Sequence, residues 1–99
     1  MPERPTARRL EWLPSARVAY LETIEYISQD DPSTAALVAQ RVEKSLTLIL
    51  SMPTLGTQTA APGVRRYPIP NTGHVINYRI MRGRIRVQRW YRARQDTGQ

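Results

Sequence analysis

The chain predicts an α+β fold in which an N-terminal helical hairpin packs on one face of a small antiparallel sheet of three or four strands. Three observations lead there. Residues 75–92 form two runs of alternating apolar and polar side chains around Arg82-Gly83, the period of a half-buried hairpin. Residues 15–51 carry two apolar stripes at helical spacing, separated only by Asp30-Asp31-Pro32. At 99 residues there is room for about one core, so helices and hairpin share it and residues 1–99 form a single domain.

In order, residues 1–7 hold two prolines and no apolar pattern and predict a loose lead-in. Leu10 and Trp12 alternate with polar neighbours over residues 8–13, as in a short edge strand. Pro14-Ser15 then opens a helix, with Pro tolerated in the first turn and Ser able to cap it. Ala16, Tyr20, Ile24 and Ile27 make its stripe, with Leu21 beside them. Asp31 as N-cap and Pro32 at the first helical position restart a helix at once, which predicts a hairpin of helices. The second helix, residues 32–51, turns Ala35, Val38, Ala39, Val42, Leu46 and Ile49 to one side. Leu37 and Leu48 lie off that stripe with Arg41 and Lys44 between them. They complete a wide core face or form a groove for a partner helix.

Pro53 ends the helix, and residues 55–63 form a connection without a period of its own. Residues 64–69 predict a strand with Tyr67 and Ile69 inward and Arg65 of the same parity. Pro68, which donates no hydrogen bond, places that strand at an edge or makes it irregular. Asn71-Thr72-Gly73 turns into the hairpin, whose inward set is Ile76, Tyr78, Ile80, Ile85 and Val87. Near Gln88-Arg89-Trp90 the parity slips by one, the mark of a bulge or of the end of burial. Residues 96–99 should fray. The expected core is Ile24, Ile27, Val42, Leu46 and Ile49 with the hairpin set.

Charge is divided sharply along the chain. Residues 1–63 hold six cations and seven anions, while residues 64–99 hold nine arginines and one acid, Asp96. So one-sided a half favours a polyanion or an acidic protein partner. Fourteen of the fifteen cations are Arg, which suits bidentate contact to phosphate or carboxylate, although a GC-rich genome would give the same preference. There is no Cys and a single His, so thiolate metal sites are excluded, and the carboxylates are too scattered for a metal or cofactor site. No apolar run approaches the ~20 residues of a membrane span, and the first residues lack a signal-peptide core. These features predict a cytoplasmic protein with no membrane association.

The residues for chemistry are Arg65, Arg79, Arg89, Arg92, Arg94, Tyr91 and His74, on or beside the sheet strands. General base catalysis near neutrality wants a His, or a shifted carboxylate or Lys. The basic half has one His, one Asp and no Lys. Arginines hold and polarise a phosphate but accept no proton. No phosphate loop, dinucleotide fingerprint or nucleophile motif is present. A helix-turn-helix over residues 15–51 fails on charge, because a recognition helix needs cations toward the groove.

The whole pattern resembles the ParE/RelE superfamily of toxins from bacterial type II toxin–antitoxin modules, over residues 10–96. The carriers are Trp12, Ala16 and Ile24-Glu25-Tyr26-Ile27, then Asp31-Pro32 with Ala35-Ala36, then Leu50-Ser51-Met52-Pro53 with Gly56. Gly63-Val64-Arg65, Val75-Ile76-Asn77-Tyr78-Arg79 and Ile85-Arg86-Val87-Gln88-Arg89 follow, leading to Arg92-Ala93-Arg94-Gln95-Asp96. The sequence looks closer to the ParE branch. That likeness implies a plasmid-stabilisation toxin that poisons DNA gyrase, and a basic half rich in cations but poor in proton acceptors makes Arg65, Arg79, Arg89, Arg92 and Arg94 the expected target contacts. It also implies a cognate antitoxin whose acidic, amphipathic C-terminal segment folds on the toxin as a hetero-oligomer, here against Leu37, Arg41, Leu48 and Arg86. The RelE branch implies an alternative, a ribosome-dependent mRNA endonuclease using Arg65, Arg79, Tyr91, Arg92 and His74. The His that many relatives carry before the Arg-Gln-Asp ending is Arg92 here, which counts against that alternative. A stand-alone basic nucleic-acid-binding module is the third possibility.

Overall fold

The structure is a computed structural model that describes residues 8–93. Its elements are β1 (Arg9–Trp12), α1 (Pro14–Asp30), α2 (Pro32–Ser51), a 3₁₀ turn (Pro53–Leu55), β2 (Thr57–Gln58), β3 (Val64–Ile69), β4 (His74–Met81) and β5 (Arg84–Arg92). The expected lead-in and frayed tail, with Arg94, lie outside the described residues. The strands form one sheet in the order β1-β5-β4-β3-β2. All pairs are antiparallel except β1–β5, which is parallel.

Two features correct the sequence expectation of three or four antiparallel strands. A fifth strand, β2, lies in the supposedly unstructured connection; at two residues it is too short to show a period. The parallel setting of β1 follows from topology: the chain leaves β1 through two helices and returns through a meander that leaves β5 running the same way. Pro68 sits in β3 beyond the end of β2, at a free edge where a missing N–H costs no ladder bond. The Arg82-Gly83 turn joins β4 to β5, with Gly83 at φ +70°, a conformation without penalty for Gly alone.

Asp31 is the whole connection between the helices. Its N–H donates to the Ile27 carbonyl at 2.9 Å, closing α1. Its carboxylate accepts from the Thr34 N–H at 3.2 Å and from the Thr34 and Ser33 hydroxyls at 2.6 and 3.0 Å, capping α2. The Thr34 and Ser33 bonds hold its acidity above that of an ordinary carboxyl, lowering its pKa. Ser15, by contrast, does not cap α1, which begins with Pro14 after Leu13 and no side-chain cap.

The main core lies between the sheet and the helices, while Val64 and Val75 are buried on the opposite parity, outside it. Val38, Val42, Leu46 and Ile49 of α2 meet Ile69, Ile76, Tyr78, Ile85, Val87 and Trp90, while α1 contributes Ala16. Ile24, Ile27 and Ile80, expected in the core, are half-buried at its margin. Leu37 and Leu48 are 45 % and 44 % exposed, so they do not widen the core face of α2. Across from Tyr78 and Asn77 the β5 partners are Val87 and Arg89, leaving Gln88 as the extra residue of a bulge. The expected parity slip is therefore real. Its consequence is that Trp90, not Arg89, turns inward.

Candidate functional site

Side chains alternate across a strand, so the residues that do not meet the helices share the outer face of the sheet. The register places Arg9 beside Arg84, Glu11 beside Arg86 beside Arg79, and Arg89 beside Asn77 beside Arg66. Two of these cross-strand neighbours are like charges, which destabilise a sheet unless neutralised. Glu11 does part of that. It accepts from Arg86 Nε at 2.7 Å and lies 3.3 Å from Arg84 Nη1. The Arg86 hydrogen bond, more than Arg84, holds its carboxyl below the usual carboxylate range. Arg79 Nη1 donates to the Pro62 carbonyl at 3.2 Å. Arg89 stacks over the Tyr91 ring, 4.4 Å from its centre, and the Tyr91 hydroxyl donates to Asn77 Oδ1 at 2.9 Å.

At the far end of β4 and β5, His74 pairs across from Arg92. The imidazole lies flat on Trp90, with ring centres 4.8 Å apart and planes 9° apart. Nδ1 is 3.1 Å from the Thr72 carbonyl. A carbonyl only accepts, so Nδ1 carries the proton and Nε2 is left as an acceptor. Burial, aided by the Arg92 charge and opposed by the Thr72 carbonyl, pulls the His74 pKa below its ordinary value. Burial thus favours the neutral imidazole at this corner.

The residues singled out from sequence fall into separate places. Arg79, Arg86 and Arg89 share the outer face, and His74, Arg92 and Tyr91 meet at the corner. Arg65 is elsewhere: its Nη1 donates to the Gly56 carbonyl at 2.6 Å and the Thr54 carbonyl at 3.2 Å. There it works with Tyr78, whose hydroxyl donates to the Pro53 carbonyl at 2.6 Å and accepts from the Gly56 N–H at 2.8 Å, fixing the chain before β2. Leu37, Arg41 and Leu48 form one exposed-side stripe of α2, with Arg41 Nη1 3.5 Å from the Asn71 carbonyl. Arg86 is across the sheet from that stripe, so the four do not make one patch. Among the described residues no group of three metal-binding side chains occurs, and no helix is long and apolar enough to cross a membrane.

Residues 10–96 match the family described as the ParE toxin of the type II toxin–antitoxin system parDE. The chain belongs to the ParE toxin family. Solved structures share its fold. The chromosomal ParDE toxin–antitoxin system from P. aeruginosa aligns with a TM-score of 0.76 at 16 % identity, covering 91 % of this chain and 100 % of that one. The isolated E. coli RelE toxin gives 0.68 at 16 % identity, with coverages of 92 % and 89 %. A mutant E. coli RelE in complex with a peptide of antitoxin RelBc gives 0.67 at 16 %, with 91 % and 87 %. No curated protein matches the sequence.

In this ParE family member, sequence reasoning missed three features that bear on binding. Glu11 is the one carboxylate inside the arginine face, and only the parallel register of β1 brings it there. A groove of about 280 Å³ runs between the helices, lined by Trp12, Tyr20 and Leu21 against Ala39, Val42 and Leu46. Its signal was Leu21, which flanks the stripe of α1 and is exposed. The third is the cleft beside His74, whose aromatic members come from α1 and, nearly fifty residues later, the β4–β5 hairpin.

Proposed function

We propose that this protein is the toxin of a type II toxin–antitoxin pair, that it stops growth by binding and poisoning DNA gyrase, and that a cognate antitoxin neutralises it. The observation that carries this reading is the outer face. Arg9, Arg66, Arg79, Arg84, Arg86 and Arg89 stand together there, and its one carboxylate, Glu11, is already held by two of them. Such a surface attracts and orients an anionic target but offers no free proton acceptor with which to cleave it. Arg79 and Arg89 on this face, with Arg92 at the corner beside His74, are the target contacts in this reading; Arg65 serves the fold. The antitoxin is a disordered, acidic and amphipathic segment. Its apolar residues meet Leu37 and Leu48 and its carboxylates meet Arg41 and Lys44, and it orders on binding.

The test uses purified protein on gyrase with supercoiled plasmid and, separately, on translating ribosomes. Gyrase inhibition lost in a folded Arg79→Gln or Arg89→Gln variant upholds the reading. Co-expression with the neighbouring reading frame should relieve growth arrest and yield a co-purifying complex. A second reading, ribosome-dependent mRNA cleavage, is favoured by one observation: neutral His74 with Nε2 free as a base, beside Arg92. Codon-phased mRNA cuts lost in His74→Ala or Tyr91→Phe, with gyrase unaffected, would replace the first reading by the second.

A further inference from the structure

A cleft of about 520 Å³ opens on the helix side of the sheet, between α1 and the ends of β4 and β5, lined among others by Glu22, Tyr26, His74, Trp90, Tyr91 and Arg92. Its back wall is rigid. Trp90 Nε1 donates to Thr23 Oγ1 at 2.9 Å and Tyr20 packs edge-on against the indole, 4.8 Å between centres. His74 lies flat on the same indole and is pinned through Nδ1 to the Thr72 carbonyl. The imidazole is therefore a fixed aromatic plate whose Nε2 is not taken up by any hydrogen bond among the described residues.

The front of the cleft is furnished differently. Tyr26 is 75 % exposed and stands one helical turn from Glu22, on the same side of α1. Arg92 is exposed, and neither it nor Glu22 has an ion-pair partner among the described residues. Packing fixes the imidazole but leaves the rest unexplained: an exposed phenol, a carboxylate and a guanidinium share the cleft with it, and neither charge has an ion-pair partner among the described residues. A simple anion would use Arg92 alone. An acidic peptide would meet Glu22 with like charge. A flat ring that carries both N–H donors and an anionic tail uses every group, and the volume falls in the range of small-molecule sites.

We propose that this cleft binds a nucleoside monophosphate unit, with the base against the Tyr26 and His74 rings, its N–H donors toward Glu22 and His74 Nε2, and the phosphate on Arg92. Aromatic shelves beside an Arg bind nucleotides in this way without strict base choice. The unit is either a free nucleotide or an unpaired residue of a nucleic-acid strand. Arg92 is shared with the target contacts proposed above, whereas Tyr26 and Glu22 lie on α1, away from the arginine face, so Tyr26→Ala tests this site without touching the gyrase reading.

Because His74 is the only histidine, its ring resonances in a long-range ¹H–¹⁵N spectrum of the full chain report on the cleft alone. Adenosine 5′-monophosphate should shift them saturably and quench tryptophan fluorescence, while adenosine and inorganic phosphate each bind more weakly. Tyr26→Ala and Arg92→Gln should each weaken the nucleotide by about tenfold, the worth of one stacked ring or one charge-assisted hydrogen bond, with the thermal melt unchanged. A short single-stranded oligonucleotide that binds tighter than the mononucleotide identifies a strand as the source; equal binding identifies the free nucleotide, and either upholds the site. No saturable shift at millimolar nucleotide, phosphate binding as tightly as the nucleotide, or binding indifferent to both substitutions would overturn it.

Discussion

The two faces of the sheet obey opposite rules. On the inner face, neighbours across the strands match: Leu10 beside Ile85 beside Ile80, and Trp12 beside Val87 beside Tyr78. On the outer face Arg9 stands beside Arg84 and Arg86 beside Arg79. Apolar pairs are what a small domain needs in order to bury enough surface. Aligned cations are what an isolated sheet avoids. The inner face answers to folding, and the outer face, in the function proposed above, answers to an anionic target.

The largest expected effects break the inner face. Ile85→Ala removes a fully buried side chain and should cost about 2–5 kcal/mol in chemical denaturation. Ile80→Ala, directly across from it but half-buried, should cost clearly less; equal losses would mean that burial does not grade along the hairpin. Gly56→Ala belongs with the severe changes. A Cβ there would sit 2.9 Å from both the Arg66 carbonyl and the Tyr78 hydroxyl, and neither can move without losing a bond.

Outer-face changes should reverse the pattern, leaving stability nearly alone and removing binding. Arg79→Gln or Arg89→Gln should change stability by no more than about 0.5 kcal/mol. Target affinity should fall ten- to a hundredfold, the loss of about 1.5–3 kcal/mol expected for a hydrogen bond from a charged group. Titration calorimetry against gyrase and a denaturant melt on the same samples measure both. Glu11→Gln sharpens the comparison further. It frees Arg84 and Arg86 from their shared partner, so it should lower the melting temperature at low salt and lose that effect as salt screens the arginines. A Glu11→Gln variant as stable as the parent at low salt would show that the like charges do not interact.

The inner face was largely legible in the sequence because its physics is periodic. Stripes of Val42, Leu46 and Ile49, and of Ile76, Tyr78, Ile85 and Val87, declare burial by spacing alone. The Asp31-Pro32 cap is equally local. What was not legible depends on register between distant strands. Nothing near Glu11 in the sequence shows that it will sit beside Arg86, because that follows from the parallel pairing of β1. Parity already sets Arg65 on the face opposite Arg79, but only the folded chain shows which carbonyls, those of Thr54 and Gly56, Arg65 serves. Trp90 joins the core through a bulge whose existence is readable in the parity slip, but only the paired register shows that inward parity switches from Arg89 to Trp90.

The smallest expected effect lies where the two faces meet, at His74. Burial first, and Arg92 second, lower its pKa in the folded state, whereas in the unfolded chain the imidazole titrates near 6.5. The unfolded state therefore takes up a proton first as pH falls. Stability is fully present above about pH 6.5, declines as the pH falls toward the folded value, and levels off below it. Glu11 and Asp31, whose pKa values are also lowered, give losses of the same sign only in the carboxylate range, so the two windows separate on a melting curve taken from pH 8 to 3. Arg92→Gln removes the neighbouring cation and should shrink the histidine step by letting the folded pKa rise. His74→Gln should abolish that step and leave the carboxylate step intact. A histidine step that survives His74→Gln would show that the corner is not where the folded protein resists protonation.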